Sequence, residues 1–251
     1  MTTTSAPTAV LLLGGTGRTG RLVLEELLER GVAVRAVVRS AARLPAGVAH
    51  APRLTVVEAD LTTLPDEELR RLLAGCDAVV SCLGHSLSPR GVFGPPRDLV
   101  ARAVERLCGA AAALRPAEPV RLVLMSSVSV NRPGRADARR GAGERVFLAL
   151  LRAVLPPARD NQRAADVLAL GIGDGHPSVA WVVVRPDSLV GGETSAYRTH
   201  DGIVSSLFRA DRTRLANAAH FMAELVTNET AWRRWRGRMP VLVDDPAGAP
   251  G

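Results

Sequence analysis

Seven residues, Gly14-Gly15-Thr16-Gly17-Arg18-Thr19-Gly20, set the tightest limit on what this chain can fold into. They lie between a short apolar run, Val10–Leu13, and a segment, Arg18–Arg30, whose Leu22, Val23, Leu27 and Leu28 fall at helical spacing. Gly31 follows where a C-terminal cap belongs. A buried strand therefore passes through a glycine-rich turn directly into an amphipathic helix. Glycine lets the backbone turn tightly and approach a bound group closely, while the first helical N–H groups attract phosphate. In this strand–turn–helix setting the glycines read as a dinucleotide loop. Gly14, Thr16, Gly17, Arg18, Thr19 and Gly20 become candidate cofactor-binding residues, with Gly20 allowing the helix to pack near the strand.

The same alternation continues along the chain. Val32–Val38, Leu54–Val57, Ala78–Leu83, Val120–Met125 and Ala180–Val184 read as strands. Pro65–Leu73, Asp98–Leu114, Glu144–Leu155 and Asp160–Leu170 read as helices, the third of these stopped by Pro156-Pro157. Ser86–Pro96 and Asn131–Gly143 read as loops. Strands that are continuously apolar and alternate with helices predict an α/β chain, a Rossmann doubly wound parallel sheet covered on both faces. After Pro186 the pattern loosens, with a helix at Thr213–Val226 and a last strand at Pro240–Val243. The expected organisation is one domain over 1–251: a cofactor core at 9–186, a small C-terminal substrate-covering lobe at 187–243 and a loose tail at 244–251.

Composition removes several mechanisms. All 32 basic residues are arginine, so no Schiff-base lysine exists, and Tyr197 is the single tyrosine. With 47% apolar residues the chain has ample material for a core. Its longest apolar runs are too short to span a bilayer, and Met1–Thr8 is uncharged, so neither a membrane nor a secretory signal is expected. Cys76, Cys82 and Cys108 lack metal-ligand spacing and suit a reduced, cytoplasmic protein with no metal. The net charge of +7 is spread along the chain, and aromatic interleaving occurs only at Trp232–Arg238, so no nucleic-acid partner is expected. Trp232 and Trp235, spaced i, i+3, read as a helix face packed on the body.

The end of the second strand reads Val37-Val38-Arg39-Ser40. An NAD site places a carboxylate there for the ribose hydroxyls, whereas an arginine offers a planar fork to a 2′-phosphate. Arg39 therefore favours NADP(H), with Arg18 and Arg43 as further phosphate candidates.

Gly14–Gly20, Arg39, Ala59-Asp60-Leu61, Asp77–Gly84, Ser126-Ser127 and Val184-Arg185-Pro186 form an ordered series over roughly 9–243. Together they resemble the atypical short-chain dehydrogenase/reductase group, the NmrA-like NAD(P)-binding proteins. The resemblance implies that Asp60 and Leu61 flank the adenine and that Cys82, Leu83 and Gly84 line the nicotinamide ribose. It further implies that Ser127 is the catalytic serine and that Pro186 lies near the nicotinamide.

One departure stands out. Members of that group carry a Tyr-x-x-x-Lys pair, and aligning Gln162-Arg163-Ala164-Ala165-Asp166 with their Lys-x-x-Ala-Glu run puts Ala158 and Gln162 at those positions. Gln162 keeps a hydrogen-bonding group for a ribose but no charge. Gln162 rather than arginine at the lysine position marks an altered site, not simple drift from lysine to arginine. His85, just after the fourth strand, is the substitute acid or base. Tyr197 and His200 lie in the segment expected to cover the substrate, while His50, His176 and His220 fit no cluster. The expected function is an NADP(H)-dependent oxidoreductase of a small-molecule substrate, catalysed through Ser127 and His85. The alternatives are a non-catalytic NADP(H) sensor, as some NmrA-like proteins are, and a redox-neutral cyclase, dehydratase or isomerase using His85.

Overall fold

The computed structural model describes residues 9–86, 88–133 and 140–245. In chain order the elements are β1 (Ala9–Leu13), α1 (Arg18–Glu29), β2 (Ala33–Val38), β3 (Leu54–Glu58), α2 (Asp66–Leu73) and β4 (Ala78–Ser81). Next come α3 (Pro89–Phe93), α4 (Leu99–Leu114), β5 (Val120–Met125), α5 (Ala142–Val154), α6 (Pro156–Asp166) and β6 (Val179–Pro186). The described chain closes with β7 (Ser188–Val190), β8 (Tyr197–His200), β9 (Arg212–Arg214), α7 (Leu215–Thr227), α8 (Glu229–Trp235) and β10 (Val241–Asp244).

Eight strands form one sheet in the order β3-β2-β1-β4-β5-β6-β10-β8. All neighbours run parallel except β10 and β8. The chain moves outward from β1 to β3 on one side and from β4 to β6 on the other, so strand order reverses between β1 and β4. In open sheets of this kind ligands bind at the carboxyl ends of the strands where the order reverses. Both faces are covered, as continuous apolar strands require. Leu11 and Leu13 point into a core closed by Leu69 and Leu72 of α2, Val104 and Leu107 of α4, and Ala164 of α6. Val10 and Leu12 point into the opposite core, closed by Val23 and Leu27 of α1, Phe221 and Met222 of α7, and Trp232 and Trp235 of α8.

Several boundaries differ from the sequence reading. Pro156 begins α6 instead of ending the chain's helical course, because a first-turn proline needs no N–H partner. Asp160 consequently sits inside α6 rather than at a helix start. A six-residue π-helical turn, Val167–Ile172, extends α6. The segment 86–96 contains the short helix α3. Strands β7, β8 and β9 have only three or four residues, too few for periodicity to register. β8 and β10 join the main sheet, while β7 and β9 pair separately. The tryptophans do face inward, each 4% exposed, with Arg121 and Arg234 lying over their rings. Part of the polar loop 131–143, residues 134–139, and the tail beyond 245 lie outside the described residues.

Candidate functional site

The phosphate end is built from the glycine loop. Gly14 has φ +76°, and a Cβ on it would stand 2.5 Å from the carbonyl oxygen of Cys82. A Cβ on Gly20 would stand 2.0 Å from the carbonyl oxygen of Gly14. The loop thus packs backbone to backbone against the exit of β4 on one side and against its own helix on the other. Gly17 is the N-cap of α1; no side chain caps that end, and no acidic residue lies in the first turn. Thr19 is buried, whereas Arg18 is exposed beside the uncapped amides. A helix start with open N–H groups and no competing carboxylate suits a pyrophosphate, so the residues present fit a dinucleotide.

At the other side of β1, the exits of β2 and β3 frame the expected adenosine end. Arg39 is exposed just past β2. Val38 pairs with Glu58 across the two strands, and the Glu58 carboxylate accepts the Ala41 N–H. A carboxylate therefore stands beside Arg39, supplied by β3 rather than by β2, which a reading confined to the β2 terminus misses. Asp60 accepts the backbone N–H and hydroxyl of Thr62 at 2.8 and 2.7 Å. Those two bonds, with Arg39's charge helping, hold its carboxyl below the ordinary range against a small opposing effect of burial. Leu61 is buried and lines a small hollow with Thr62, Pro96, Leu99 and Arg102.

Cys82, Leu83 and Gly84 leave β4 beside the glycine loop, and His85 follows. The His85 Nε2 lies 2.7 Å from Oδ2 of Asp160, the two side chains being 5% and 0% exposed. Oδ2 also accepts the Val100 N–H at 2.8 Å, and Oδ1 accepts the Ala101 N–H at 2.9 Å. Asp160 therefore caps α4 from another helix.

The segment leaving β5 is held by four side chains on four successive carbonyls. Arg140 donates to Val128, Arg152 to Ser129, Arg185 to Val130 and Gln162 to Asn131. Gln162 also accepts the Asn131 N–H at 2.8 Å and donates to Asp166. Arg185, fully buried, donates to the Met239 carbonyl as well, tying this segment to the approach of β10. Ser127 Oγ lies 2.6 Å from Ser129 Oγ. The buried hydroxyls of Ser81 and Ser126, at the ends of β4 and β5, have no hydrogen-bond partner among the described residues.

Past β6, Pro186 is buried and Asp187 accepts Ser205, Ser188 and Asp211. Burial raises the Asp187 pKa against those bonds. Tyr197 does not stand alone: its hydroxyl is 2.9 Å from Nδ1 of His220 and 3.0 Å from Glu224. His220 thus belongs to a cluster after all, one the separation of 23 residues concealed. Burial pushes the phenol pKa well above its ordinary value, and the Glu224 charge adds to the shift. Among the described residues, no group of three or more His, Cys, Asp or Glu is arranged to hold a metal, and no helix is long and apolar enough to cross a membrane.

Comparison with known proteins agrees with this geometry. A crystal structure of the oxidoreductase ylbE from Lactococcus lactis aligns over 94% of this chain and 91% of its own, with TM-score 0.67 and 18% identity. A Rossmann-fold NAD(P)-binding family protein from Shigella flexneri aligns over 97% of each chain, with TM-score 0.65 and 15% identity. ChuY, an anaerobilin reductase from Escherichia coli O157:H7, aligns over 97% of this chain and all of its own, with TM-score 0.67 and 17% identity. At these identities the likeness is one of fold. In sequence, an uncharacterised chloroplastic protein of Arabidopsis thaliana is 36% identical over 75 residues, and the matched stretch spans 27% of that protein. The family model described as NAD(P)H-binding matches residues 14–229, from the glycine loop to the start of α8. The match begins at the glycine loop and spans most of the sequence: the chain belongs to the NAD(P)H-binding family.

Proposed function

We propose that this protein is an NADP(H)-dependent oxidoreductase of the atypical short-chain dehydrogenase/reductase type, NmrA-like, acting on a small molecule without a Tyr-x-x-x-Lys pair. The observation that carries the reading is the uncapped start of α1 behind a glycine loop that packs against the exit of β4 at the strand-order reversal. When bound, the reduced nicotinamide supplies a hydride. The chain's own residues would do the rest. The amides of Gly17, Arg18 and Thr19, with Gly14, Thr16 and Gly20 shaping the turn, would hold the pyrophosphate. Arg39 would grip the 2′-phosphate, while Glu58 stays committed to the Ala41 amide. Asp60 and Leu61 would flank the adenine, and Cys82, Leu83, Gly84 and Pro186 would border the nicotinamide ribose. Gln162 would act there through Asn131, whose backbone it holds. Ser127 and His85 are the candidate catalytic residues. One protein of the same fold is named an anaerobilin reductase, which is the reason to test reduction of a small-molecule acceptor.

A second reading, an NADP(H) sensor without turnover, draws support from Gln162, which is occupied with Asn131 and Asp166. Titration with NADP+, NADPH and NAD+, followed by NADPH oxidation with carbonyl, enone and flavin acceptors, separates the two. Micromolar binding of NADPH with turnover supports the oxidoreductase. Binding without turnover supports the sensor, and absence of binding overturns both.

A further inference from the structure

We propose that His85 carries the proton exchanged at the nicotinamide end of the cofactor site and that Asp160 is its positioning residue. This pair, one member past β4 and the other on α6, supplies a proton-transfer group that Ala158 and Gln162 do not; the inference rests on the oxidoreductase reading above.

Location comes first. His85 is three residues past Cys82, whose carbonyl abuts the glycine loop at Gly14. Its ring is thus rooted at the carboxyl end of the strand adjoining the phosphate site. Asp160 reaches the ring from α6, two residues and about half a turn from each aligned position, on the face of that helix that meets α4. Geometry comes next. The Asp160 carboxylate takes three donors: the Val100 and Ala101 amides and Nε2 of His85. Two rigid backbone N–H groups fix both oxygens, so the carboxylate cannot rotate to follow the ring, and the ring must follow it. A carboxylate only accepts, so Nε2 is the nitrogen that keeps its hydrogen, in the neutral and in the cationic ring alike. Nδ1 is then the nitrogen whose proton comes and goes, and it has no hydrogen-bond partner among the described residues. An acid that orients a histidine through one ring nitrogen and leaves the other to exchange protons is a recurring catalytic arrangement.

The other candidate groups each have a side-chain partner of their own. Ser127 is paired with Ser129, and the Tyr197 phenol is held by His220 and Glu224. Nor does α4 need the histidine, because the carboxylate alone satisfies its two N–H groups. In the proposed step the acceptor gains two electrons and one hydrogen as hydride from NADPH, and a proton from Nδ1 of His85. The Nδ1–H bond breaks as the new bond to the acceptor's oxygen or nitrogen forms. The ring is left neutral with Nε2–H still on Asp160, and water returns its proton.

The test reads the ring itself. Nitrogen-15 spectra of the histidine side chains, with His85 assigned through His85→Asn, are recorded with NADP+ and with 2′,5′-ADP, which lacks the nicotinamide. The expected result is an Nε2–H tautomer in the free protein and an Nδ1 resonance that moves with NADP+ but not with 2′,5′-ADP. Asp160→Asn is expected to abolish that single tautomer; because this change also weakens the α4 cap, His85→Ala provides the independent arm. With FMN, 1,4-naphthoquinone or an enone as acceptor, His85→Ala should lower kcat about 10²- to 10³-fold. KM for NADPH should barely move, and added imidazole should restore turnover. An Nδ1 resonance indifferent to bound NADP+, an Nδ1–H tautomer, or an undiminished kcat in His85→Ala overturns the proposal. A wild-type protein that binds NADPH but reduces none of these acceptors defeats the oxidoreductase reading and the proton-transfer role with it, and the Nδ1 response then reports separately whether the ring faces the nicotinamide. Absence of NADP+ binding overturns both readings together.

Discussion

Gln162 grips the backbone of Asn131 twice, accepting its N–H at 2.8 Å and donating to its carbonyl at 3.1 Å. A lysine in that position would donate but not accept, so the clamp depends on an amide. Gln162→Ala should lower the unfolding free energy by about 1–3 kcal/mol, from unpaired, half-buried backbone groups. Gln162→Lys should recover only part of it. Urea unfolding of the three proteins measures this, and equal midpoints would show that the clamp carries no stability.

Arg39 should discriminate between the two nicotinamide cofactors. Arg39→Ala is expected to weaken NADP+ binding about 10- to 100-fold, the worth of a charge-assisted fork, while leaving NAD+ binding within about twofold. Calorimetric titration with both cofactors decides it. An equal loss for both would assign the 2′-phosphate to another group.

Gly20 should tolerate no side chain. The atom that an alanine Cβ would strike is the Gly14 carbonyl oxygen at 2.0 Å, which is backbone and cannot swing aside. Gly20→Ala is expected to cost about 1–3 kcal/mol of stability and to lower cofactor affinity at least tenfold. Thermal melts with and without NADP+ give both quantities.

The three thiols should be inert in the native protein. Burial pushes Cys82 and Cys108 up to about 12 and raises Cys76 as well. At pH 8 roughly one Cys82 or Cys108 in 10⁴ is then a thiolate, the reactive form. Iodoacetamide should leave the folded chain unmodified by intact mass and add three adducts after denaturation. Rapid labelling of the native protein would contradict this burial.

Tyr197 gives a pH dependence of known sign. Its folded pKa is raised, chiefly by burial and then by Glu224. The native state therefore holds the phenolic proton more tightly than the unfolded state does. The resulting stability is fully present below pH 10 and is lost as pH rises past it. Absorbance at 295 nm should stay flat where a free tyrosine titrates, and should rise together with loss of circular dichroism. Phenolate appearing in a still folded protein near pH 10 would disprove it.

The glycine loop, the seven parallel strands and the two covered faces were legible because local period and turn chemistry carry them. What escaped depends on pairs distant in sequence. His85 and Asp160 are 75 residues apart, Asp160 and Val100 are 60 apart, and Tyr197 and His220 are 23 apart. Nothing local in Asp160 tells which helix it caps. Pro156-Pro157 misled for a local reason: the pair that ends one helix is also a favourable start for the next. Glu58 was overlooked because the ribose end was sought on β2 alone, whereas sheet register brings β3 beside it.

The position of β10, inside the sheet by one strand, has a consequence for biosynthesis. Val241–Asp244 fills the seat between β6 and β8, and the Met239 carbonyl just before it receives the buried guanidinium of Arg185. Translation delivers these residues late. Until the ribosome has passed residue 244, the nascent chain offers β6 as an open edge, the kind of surface that pairs with foreign strands. The glycine loop is translated before β10, so the turn at Gly14–Gly20 can form while the sheet still waits for the strand that covers β6.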